Sequence, residues 1–300
     1  MKRNDFIKST LALSVMSNLG CLNRFAEKLP LQSKKMPVLF TSHGNPMDIP
    51  LSKEERPFWN TLFNLGKDLK ANYDVKAALV VSAHWCTRGT FVNSSLEQEQ
   101  IYDYYGFPEH YYDPKYKAFG APEIAQEIHE LIPEVKTTDD WGLDHGAWPM
   151  LMHLFPEGDV PVFQMSLDYY ADPSYHYELG KQLATLRQKG VLIIGSGSLI
   201  HNLQLAMSKM QKNDMSPYCW EAEYDYWLKQ QIDQRNFENL IKYQSSHKLG
   251  KLAAPTPDHF VPILYTLGLT TSKDSIEYFY EGEPSIPAFS ERSFIVSEKG

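Results

Sequence analysis

The chain has 300 residues, of which 43% are hydrophobic and 22% are charged, so it can bury a sizeable core as one large domain or two. Its 29 Lys and Arg residues against 37 Asp and Glu give a formal net charge of -8, which disfavours nucleic acid as a partner. The three cysteines include no Cys-x-x-Cys pair, which excludes a thiolate zinc finger and a disulfide framework. Any metal would need nitrogen and oxygen ligands, so the ten histidines are the first residues to examine.

The N-terminus differs from the rest of the chain. Basic residues at Lys2, Arg3 and Lys8 precede a short apolar run over residues 11–16, as in an export leader. Residues 3–8 look like a twin-arginine motif with one arginine replaced, and residues 19–21 loosely resemble a lipoprotein cleavage site. We expect residues 1–35 to be an N-terminal extension or an export leader, with a periplasmic location in the second case and a cytoplasmic one otherwise. No run of eighteen apolar residues occurs, so no integral membrane segment is predicted.

From residue 36 to residue 300, short apolar runs alternate with amphipathic stretches, which is typical of a single α/β domain. Strands are predicted at residues 38–40, 77–81, 160–165 and 191–194. Helices are predicted over residues 122–132 and 174–188, the second with Leu179, Leu183 and Leu186 on one side. This order predicts a largely parallel or mixed central sheet flanked by helices.

Three histidines follow predicted strands, at the edge where open α/β sheets bind their ligands. His43 and His84 come directly after the first two strands, and His201 comes after the fourth strand and a Gly-Ser-Gly-Ser turn. Small residues near them, such as Gly44 and Gly197, allow close approach of the backbone. A histidine that merely caps a strand is the alternative for each one alone. Together the three predict a metal site at the carboxyl ends of the strands.

Two further histidines have a context that suits chemistry. His259 lies in Thr256-Pro257-Asp258-His259, where Thr256 is the expected N-cap and Pro257 the first residue of a helix that ends before Gly268. The helix terminus would keep this imidazole neutral and able to bind a cation. His145 adjoins Asp144 and Gly146 and suits either a ligand or an acid/base group. We assign no chemistry to the remaining five, His110, His129, His153, His176 and His247.

Taken in order, five motifs resemble the DODA-type extradiol aromatic ring-opening dioxygenases, and within them the bacterial 4,5-DOPA dioxygenase group. The motifs are Ser42-His43-Gly44-Asn45-Pro46, Ser82-Ala83-His84-Trp85, Asp144-His145-Gly146-Ala147-Trp148, the segment from Gly195 to Leu203, and Thr256-Pro257-Asp258-His259. The resemblance runs from about Met36 to the C-terminus. This sequence departs from it at Asn45, where the family more often has Ser or Ala, and in its longer N-terminal extension.

The resemblance implies one divalent metal ion per chain, Zn(2+) or Fe(2+), with a small aromatic diol such as DOPA and O2 as the substrates. It implies that His43, His84 and His259 are metal ligands. It places His201 and His145 at the substrate as acid/base groups, with His201 close enough to be a fourth ligand. The alternatives are a zinc-dependent hydrolase and a metal-stabilised interaction protein without catalysis.

Two other segments bear on the site. Residues 101–108 with Tyr111 and Tyr112 form an aromatic loop that is expected either to cover a planar substrate or to pack on the surface. The turn at residues 195–197 lacks the third glycine of a dinucleotide fingerprint, and Ser198 is outside a Gly-x-Ser-x-Gly elbow. Nicotinamide binding and serine hydrolysis are therefore not predicted.

Overall fold

The computed structural model describes residues 29–299, so most of the predicted extension or leader, residues 1–35, lies outside the described residues. The described strands are β1 Val38–Thr41, β2 Ala77–Thr87, β3 Thr90–Asn93, β4 Val135–Thr138, β5 Val162–Asp168, β6 Val191–Ser196, β7 Asp274–Tyr280 and β8 Ser293–Glu298. The α-helices are α1 Pro57–Asn72, α2 Pro122–Leu131, α3 Trp148–Leu154, α4 Pro173–Gln182, α5 Ala184–Arg187, α6 Leu203–Met210, α7 Glu221–Asp233, α8 Phe237–Ile241, α9 Tyr243–Ser246, α10 Gly250–Ala253 and α11 Pro262–Gly268. Short 3-10 turns lie at Pro46–Asp48 and Glu109–Tyr112.

All eight strands form one mixed sheet in the order β4-β3-β5-β2-β6-β1-β8-β7. Its centre is parallel, because β2 pairs in parallel with both β5 and β6, and β6 pairs in parallel with β1. The strands β8 and β7 add to one side as antiparallel neighbours, and β3 joins β5 antiparallel on the other. The predicted α/β class with a parallel to mixed sheet is therefore confirmed.

Alternation along the central strands gives the sheet two apolar faces. Val38 and Phe40 of β1 pack in one core with Leu179 of α4, whereas Leu39 packs in a second core with Trp59 of α1 and Trp148 of α3. Helices cover both faces, so the parallel centre of the sheet is buried and its carboxyl edge is left for a site. Among the described residues, no helix has the length and apolar character needed to span a membrane.

The four predicted strands are present, with β2 and β5 continuing further than expected. The predicted helix over residues 174–188 is interrupted at Leu183, between α4 and α5, although all three of its predicted core leucines are buried. The predicted start of the last helix at Pro257 is wrong, because α11 begins at Pro262 and includes Gly268. Pro262 has no N–H, so it cannot donate the helical hydrogen bond to the carbonyl of Asp258 that an earlier start requires.

Candidate metal centre

Five imidazole rings converge at the carboxyl edge of the sheet. The ring centroids of the three predicted ligands form a nearly regular triangle: His43 to His84 is 4.9 Å, His43 to His259 is 5.4 Å and His84 to His259 is 4.9 Å. Three imidazoles bound to one tetrahedral ion would have their centroids about 5 Å apart, given metal–nitrogen bonds of about 2.0–2.1 Å. The spacing of the rings therefore suits a shared cation.

His43 follows β1 and is held by the end of β6. Its Nδ1 lies 3.0 Å from Ser196 Oγ, and that hydroxyl donates its proton to the carbonyl of Gly146. A carbonyl can only accept, so Ser196 has no second proton to offer and must accept from Nδ1–H of His43. The Nε2 lone pair of His43 is thereby left free, which is the arrangement a metal ligand needs.

His84 lies inside β2, not beyond its end as predicted. The pairing of β2 with β5 shifts between Val81 and Cys86, so the four residues from Ser82 to Trp85 lie opposite a single residue of β5. A bulge of this kind changes the direction of side chains next to functional sites. Here His84 Nδ1 lies 3.4 Å from Asp103 Oδ2, and a carboxylate beside Nδ1 favours the proton on that nitrogen.

The free nitrogens of His43 and His84 face each other, Nε2 to Nε2, at 3.1 Å. With both Nδ1 atoms protonated, two lone pairs point into the same space, an arrangement that a cation between them would stabilise. Ligand nitrogens of a tetrahedral site are about 3.3 Å apart by the same bond lengths. The residues present therefore fit a divalent ion.

His259 lies in a turn before α11, so the predicted effect of a helix N-terminus on this ring does not apply. Val261 N donates to the carbonyl of Pro257 at 2.8 Å, which closes one isolated helical turn. Asp258 Oδ2 accepts a hydrogen bond from His259 Nδ1, so Nε2 is again the free nitrogen. Burial favours the neutral acid of Asp258, but the hydrogen bonds from His259 and Thr256 and the nearby imidazoles of His259 and His201 together outweigh it and keep the pKa of this carboxyl below its usual value.

His201 packs flat against His259, with ring centroids 3.4 Å apart and an interplanar angle of 3°. Phe289 covers it from another side at 4.4 Å, and the backbone N–H of His201 donates to the carbonyl of Ala253 at 2.8 Å. The position of this ring is therefore fixed by packing and by its own main chain.

His145 lies closest to His84, with the ring centroids 3.7 Å apart. Its backbone N–H donates to Asp103 Oδ1 at 2.9 Å, and its Nδ1 lies 2.9 Å from the same oxygen. The approach at Nδ1 is out of line with the ring and does not make a hydrogen bond. One carboxylate therefore holds the main chain of His145 and adjoins the rings of both His84 and His145.

By potential ligand atoms, the side chains form two groups. His43, His84 and His145 have ligand atoms within 4.8 Å of one another, and so do His201, Asp258 and His259. The predicted ligand triad takes two members from the first group and one from the second. Either grouping brings together at least three donors of the type that divalent transition metals bind.

Burial favours the neutral form of three of these rings, His43, His84 and His201. It lowers the pKa of His43 and of His84 well below the usual histidine value, and the neighbouring imidazoles lower both further. Burial also lowers the pKa of His201, assisted by His259 and opposed by Asp258. Neutral imidazoles can donate a lone pair to a metal without first losing a proton.

Close backbone approach is required where β6 ends. Gly197 lies so near the turn of His259 that an added Cβ would be 2.2 Å from the carbonyl oxygen of His259. That carbonyl accepts a hydrogen bond from Ser198 N at 2.8 Å. The predicted need for a small residue at this position is therefore borne out by the packing of two backbones.

The five histidines without an assigned role have other contacts. His176 Nδ1 lies 3.0 Å from the hydroxyl of Tyr265, His129 Nδ1 lies 2.8 Å from the carbonyl of Val135, and His153 stacks on Trp59. His247 packs against Trp227, and His110 packs against Tyr111.

The aromatic loop reaches the site through Tyr104, whose ring centroid is 5.5 Å from that of His145. Tyr104 also stacks on Tyr112 and donates its hydroxyl hydrogen bond to the carbonyl of Tyr111.

Asn45 caps the turn at Pro46–Asp48: its side chain accepts from Met47 N and donates to Asp48. The departure at Asn45 thus has a local structural role.

Asp103, Ser196 and Asp258 are site residues to which the sequence analysis gave no role. Ser196 and Asp258 lie inside motifs in which only glycines and histidines were assigned one. Asp103 is the one acidic residue among the tyrosines of the aromatic loop, 42 residues before the backbone N–H that it holds. An acid in an otherwise aromatic loop is the single hint that the sequence offered.

The sequence profile described as "Catalytic LigB subunit of aromatic ring-opening dioxygenase" matches residues 37–287 of the chain. This match spans most of the chain, which therefore belongs to the LigB family of aromatic ring-opening dioxygenases. The resemblance inferred from the five motifs is confirmed, and so is the prediction of an enzyme.

Among its relatives is the 4,5-DOPA dioxygenase extradiol of Escherichia coli (strain K12), 36% identical over 258 residues, which cover 84% of this chain and 92% of that one. The 4,5-DOPA dioxygenase extradiol of Beta vulgaris is 37% identical over 255 residues, covering 81% of this chain and 90% of that one. A crystal structure of an uncharacterized protein from Escherichia coli K12 matches with a TM-score of 0.72 and 31% identity, over 87% of this chain and 99% of that one.

Proposed function

We propose that this chain is an extradiol dioxygenase that opens the ring of a catechol such as DOPA with both atoms of O2, using one divalent ion, Fe(2+), held by His43, His84 and His259. The observation that carries the proposal is the convergence of these three rings, with centroids 4.9, 5.4 and 4.9 Å apart, in a chain of the ring-opening dioxygenase family. The names of its relatives supply the substrate class. Family membership favours this activity over the hydrolase and over a protein without catalysis.

Two neighbouring side chains fix the orientation of the ligand histidines in the absence of metal. Ser196 and Asp258 each face the Nδ1 of one ligand, His43 and His259, and so leave the Nε2 atoms of both free. When bound, Fe(2+) supplies a Lewis acid that stabilises the deprotonated diol and a path for electrons to O2.

The two remaining histidines handle protons and orientation. His201, fixed between His259 and Phe289, takes a proton from a substrate hydroxyl and later returns it, a kind of help worth about 10²–10⁴-fold in rate. His145 has Asp103 beside its Nδ1, so its Nε2 is the nitrogen available to hydrogen-bond a bound diol. The stacking of His201 on His259 also makes His201 a candidate fourth ligand.

The test is oxygen uptake by protein loaded anaerobically with Fe(2+) and then mixed with DOPA. We expect consumption of O2 and a yellow ring-opened product. Protein loaded with Zn(2+), which has no redox chemistry, should give neither. His43→Ala should lose bound metal and at least about 10²-fold of the rate, which is the scale of one acid/base or electrophilic contribution. His110→Ala, a change of an exposed histidine outside the cluster, is the matched control and should behave as wild type.

His201→Ala separates the two roles of that residue in the same assay. Retained metal with a rate lower by about 10²–10⁴-fold identifies an acid/base group, and lost metal identifies a fourth ligand. If wild-type protein with bound Fe(2+) consumes no O2 with any member of a catechol panel, the proposed activity is wrong.

A further inference from the structure

The side chain of Asp103 adjoins two histidines of the cluster that have different proposed roles. Its Oδ2 lies 3.4 Å from Nδ1 of His84, and its Oδ1 lies 2.9 Å from Nδ1 of His145. The same Oδ1 accepts the backbone N–H of His145 at 2.9 Å. Its side chain is 17% exposed, so water competes only weakly for these contacts.

The main chain around Asp103 is anchored to the segment that carries His145. Ile101 N donates to the carbonyl of Leu143 at 2.8 Å, and Leu143 N donates to the carbonyl of Glu99 at 2.7 Å. The indole N–H of Trp148 donates to the carbonyl of Ile101 at 3.1 Å. These bonds hold the loop in place, so the carboxylate is positioned by backbone pairing and not by the histidines alone.

The neighbouring Asp144 does not duplicate this role. Its Oδ1 accepts hydrogen bonds from Ser82 Oγ and Gly146 N, and its Oδ2 accepts from Trp141 and Gln164. Both of its oxygens are occupied by partners other than imidazoles. Asp103 is therefore the carboxylate that faces the rings of this half of the site.

We propose that Asp103 is a positioning residue that orients two histidines at once, the metal ligand His84 and the substrate-facing His145. It favours the proton on Nδ1 of His84, which leaves Nε2 for the metal, and it holds His145 through its backbone and beside its ring. A carboxylate behind a ligating histidine typically strengthens metal binding by 10–100-fold. This inference rests on the proposed function for the role of His145 but not for the contact with His84.

The first test measures metal binding without turnover. Asp103→Asn has nearly the same shape and keeps an acceptor for the backbone N–H of His145, but it lacks the negative charge that favours a proton on Nδ1 of His84. We expect Co(2+) affinity, measured by competition with a chromogenic chelator, to fall by about 10–100-fold. The visible absorption of bound Co(2+) should shift as the ring of His84 reorients.

Asp113→Asn makes the same chemical change at an exposed position just after the aromatic loop, and it should bind Co(2+) like wild type. Asp103→Glu restores the carboxylate and should recover part of the lost affinity. The metal-free melting temperature of each variant shows whether it is folded. A folded Asp103→Asn variant that binds Co(2+) within about threefold of wild type would overturn the proposal, since that is below the usual range for such a partner.

The second test uses a double-mutant cycle under saturating Fe(2+). If Asp103 acts on turnover through His145, Asp103→Asn should lower kcat in the wild-type background and have little further effect in the His145→Ala background. Additive losses would contradict that half of the proposal. If the wild type turns over no catechol, the proposed function fails while the Co(2+) result still decides the contact with His84.

Discussion

Ser196 determines which ring nitrogen of His43 carries the proton, because its own hydroxyl proton is already donated to the carbonyl of Gly146. The oxygen is then able to accept only, and the Nδ1–H of His43 is its donor at 3.0 Å. A side chain outside the predicted set of ligands thus controls which ring nitrogen of His43 carries the proton.

Replacing this hydroxyl should weaken both the stability of the fold and the affinity for metal. In Ser196→Ala the buried Nδ1–H of His43 loses its acceptor, which costs about 1–3 kcal/mol of stability and about 10–100-fold in metal affinity. Isothermal titration with Co(2+) and chemical denaturation measure the two effects. Ser208→Ala, an exposed change in α6, is the control. Unchanged metal affinity in Ser196→Ala would show that the tautomer of His43 is set elsewhere.

Single residues were predictable where a local pattern identified them. His43 and His201 follow apolar strands with small neighbours, and that context requires no knowledge of the fold. The role of Asp103 was not predictable, because it depends on a partner 42 residues away that backbone pairing of the loop brings near. The family resemblance implied the metal ligands but did not identify the residues that adjoin their Nδ1 atoms.

At the scale of elements, the site depends on where β6 ends against the turn of His259. Gly197 has no side chain, and the carbonyl of His259 occupies the space that a Cβ would need. The hydrogen bond from Ser198 N to that carbonyl then sets the distance between strand and turn.

Gly197→Ala should therefore displace His259 from the other rings. A contact of 2.2 Å between a Cβ and a backbone oxygen cannot persist. Because the Cβ is fixed to one backbone and the oxygen belongs to another, no side-chain rotation relieves the contact and the turn must move. We expect at least about a tenfold loss of metal affinity, comparable to loss of an orienting partner. Gly89→Ala is a demanding control: it adds the same methyl at a positive φ of 81°, where nothing lies within 4 Å. It should lose some stability but no metal affinity.

Elements were predicted well where they are apolar and buried. The continuous apolar runs of β1, β2, β5 and β6 are the parallel centre of the sheet. The short strands β3 and β4 mix polar and apolar residues, and β7 is half-buried at the edge with Asp274 and Glu277 in it. The bulge at His84 depends on the register with β5, which no local pattern reveals.

At the scale of the whole molecule, Arg187 ties together distant parts of the chain. Its buried guanidinium donates to the carbonyls of Met36 before β1 and of Leu269 after α11. It also donates to both oxygens of Asp274, at 3.0 and 3.3 Å, and both side chains of this pair are fully buried. Thr271 donates to Asp274 from its N–H and its hydroxyl, so the pair is well satisfied.

Asp274→Asn should destabilise the protein by about 3–5 kcal/mol, because it leaves a buried guanidinium without its counter-charge. Urea denaturation gives the difference in the free energy of unfolding. Asp139→Asn, at an exposed position, controls for the loss of one carboxylate. A loss below about 1 kcal/mol in the free energy of unfolding is typical of a surface ion pair and would contradict the role given to this buried pair.

The same pair predicts a dependence on pH. Burial by itself raises the pKa of Asp274, but the hydrogen bonds from Arg187 and Thr271 outweigh it and lower the pKa in the folded protein. The stabilisation is then complete above the ordinary value of about 3.9 and is lost as the pH falls through the lower folded value. The stability gap between wild type and Asp274→Asn should therefore narrow in acid, and a gap that widens would contradict this sign.

The three proposed ligands come from chain segments that meet only in the finished sheet. His43 and His84 are separated by 41 residues, and His259 lies in the opposite half of the chain. In a zinc finger the ligands are near neighbours, so the ion can initiate folding. In the unfolded chain these imidazoles are far apart. The ion therefore has no complete set of ligands until β1, β2 and β6 have paired. The ion would have to bind an already folded apoprotein, so chelation should remove the ion without unfolding the protein.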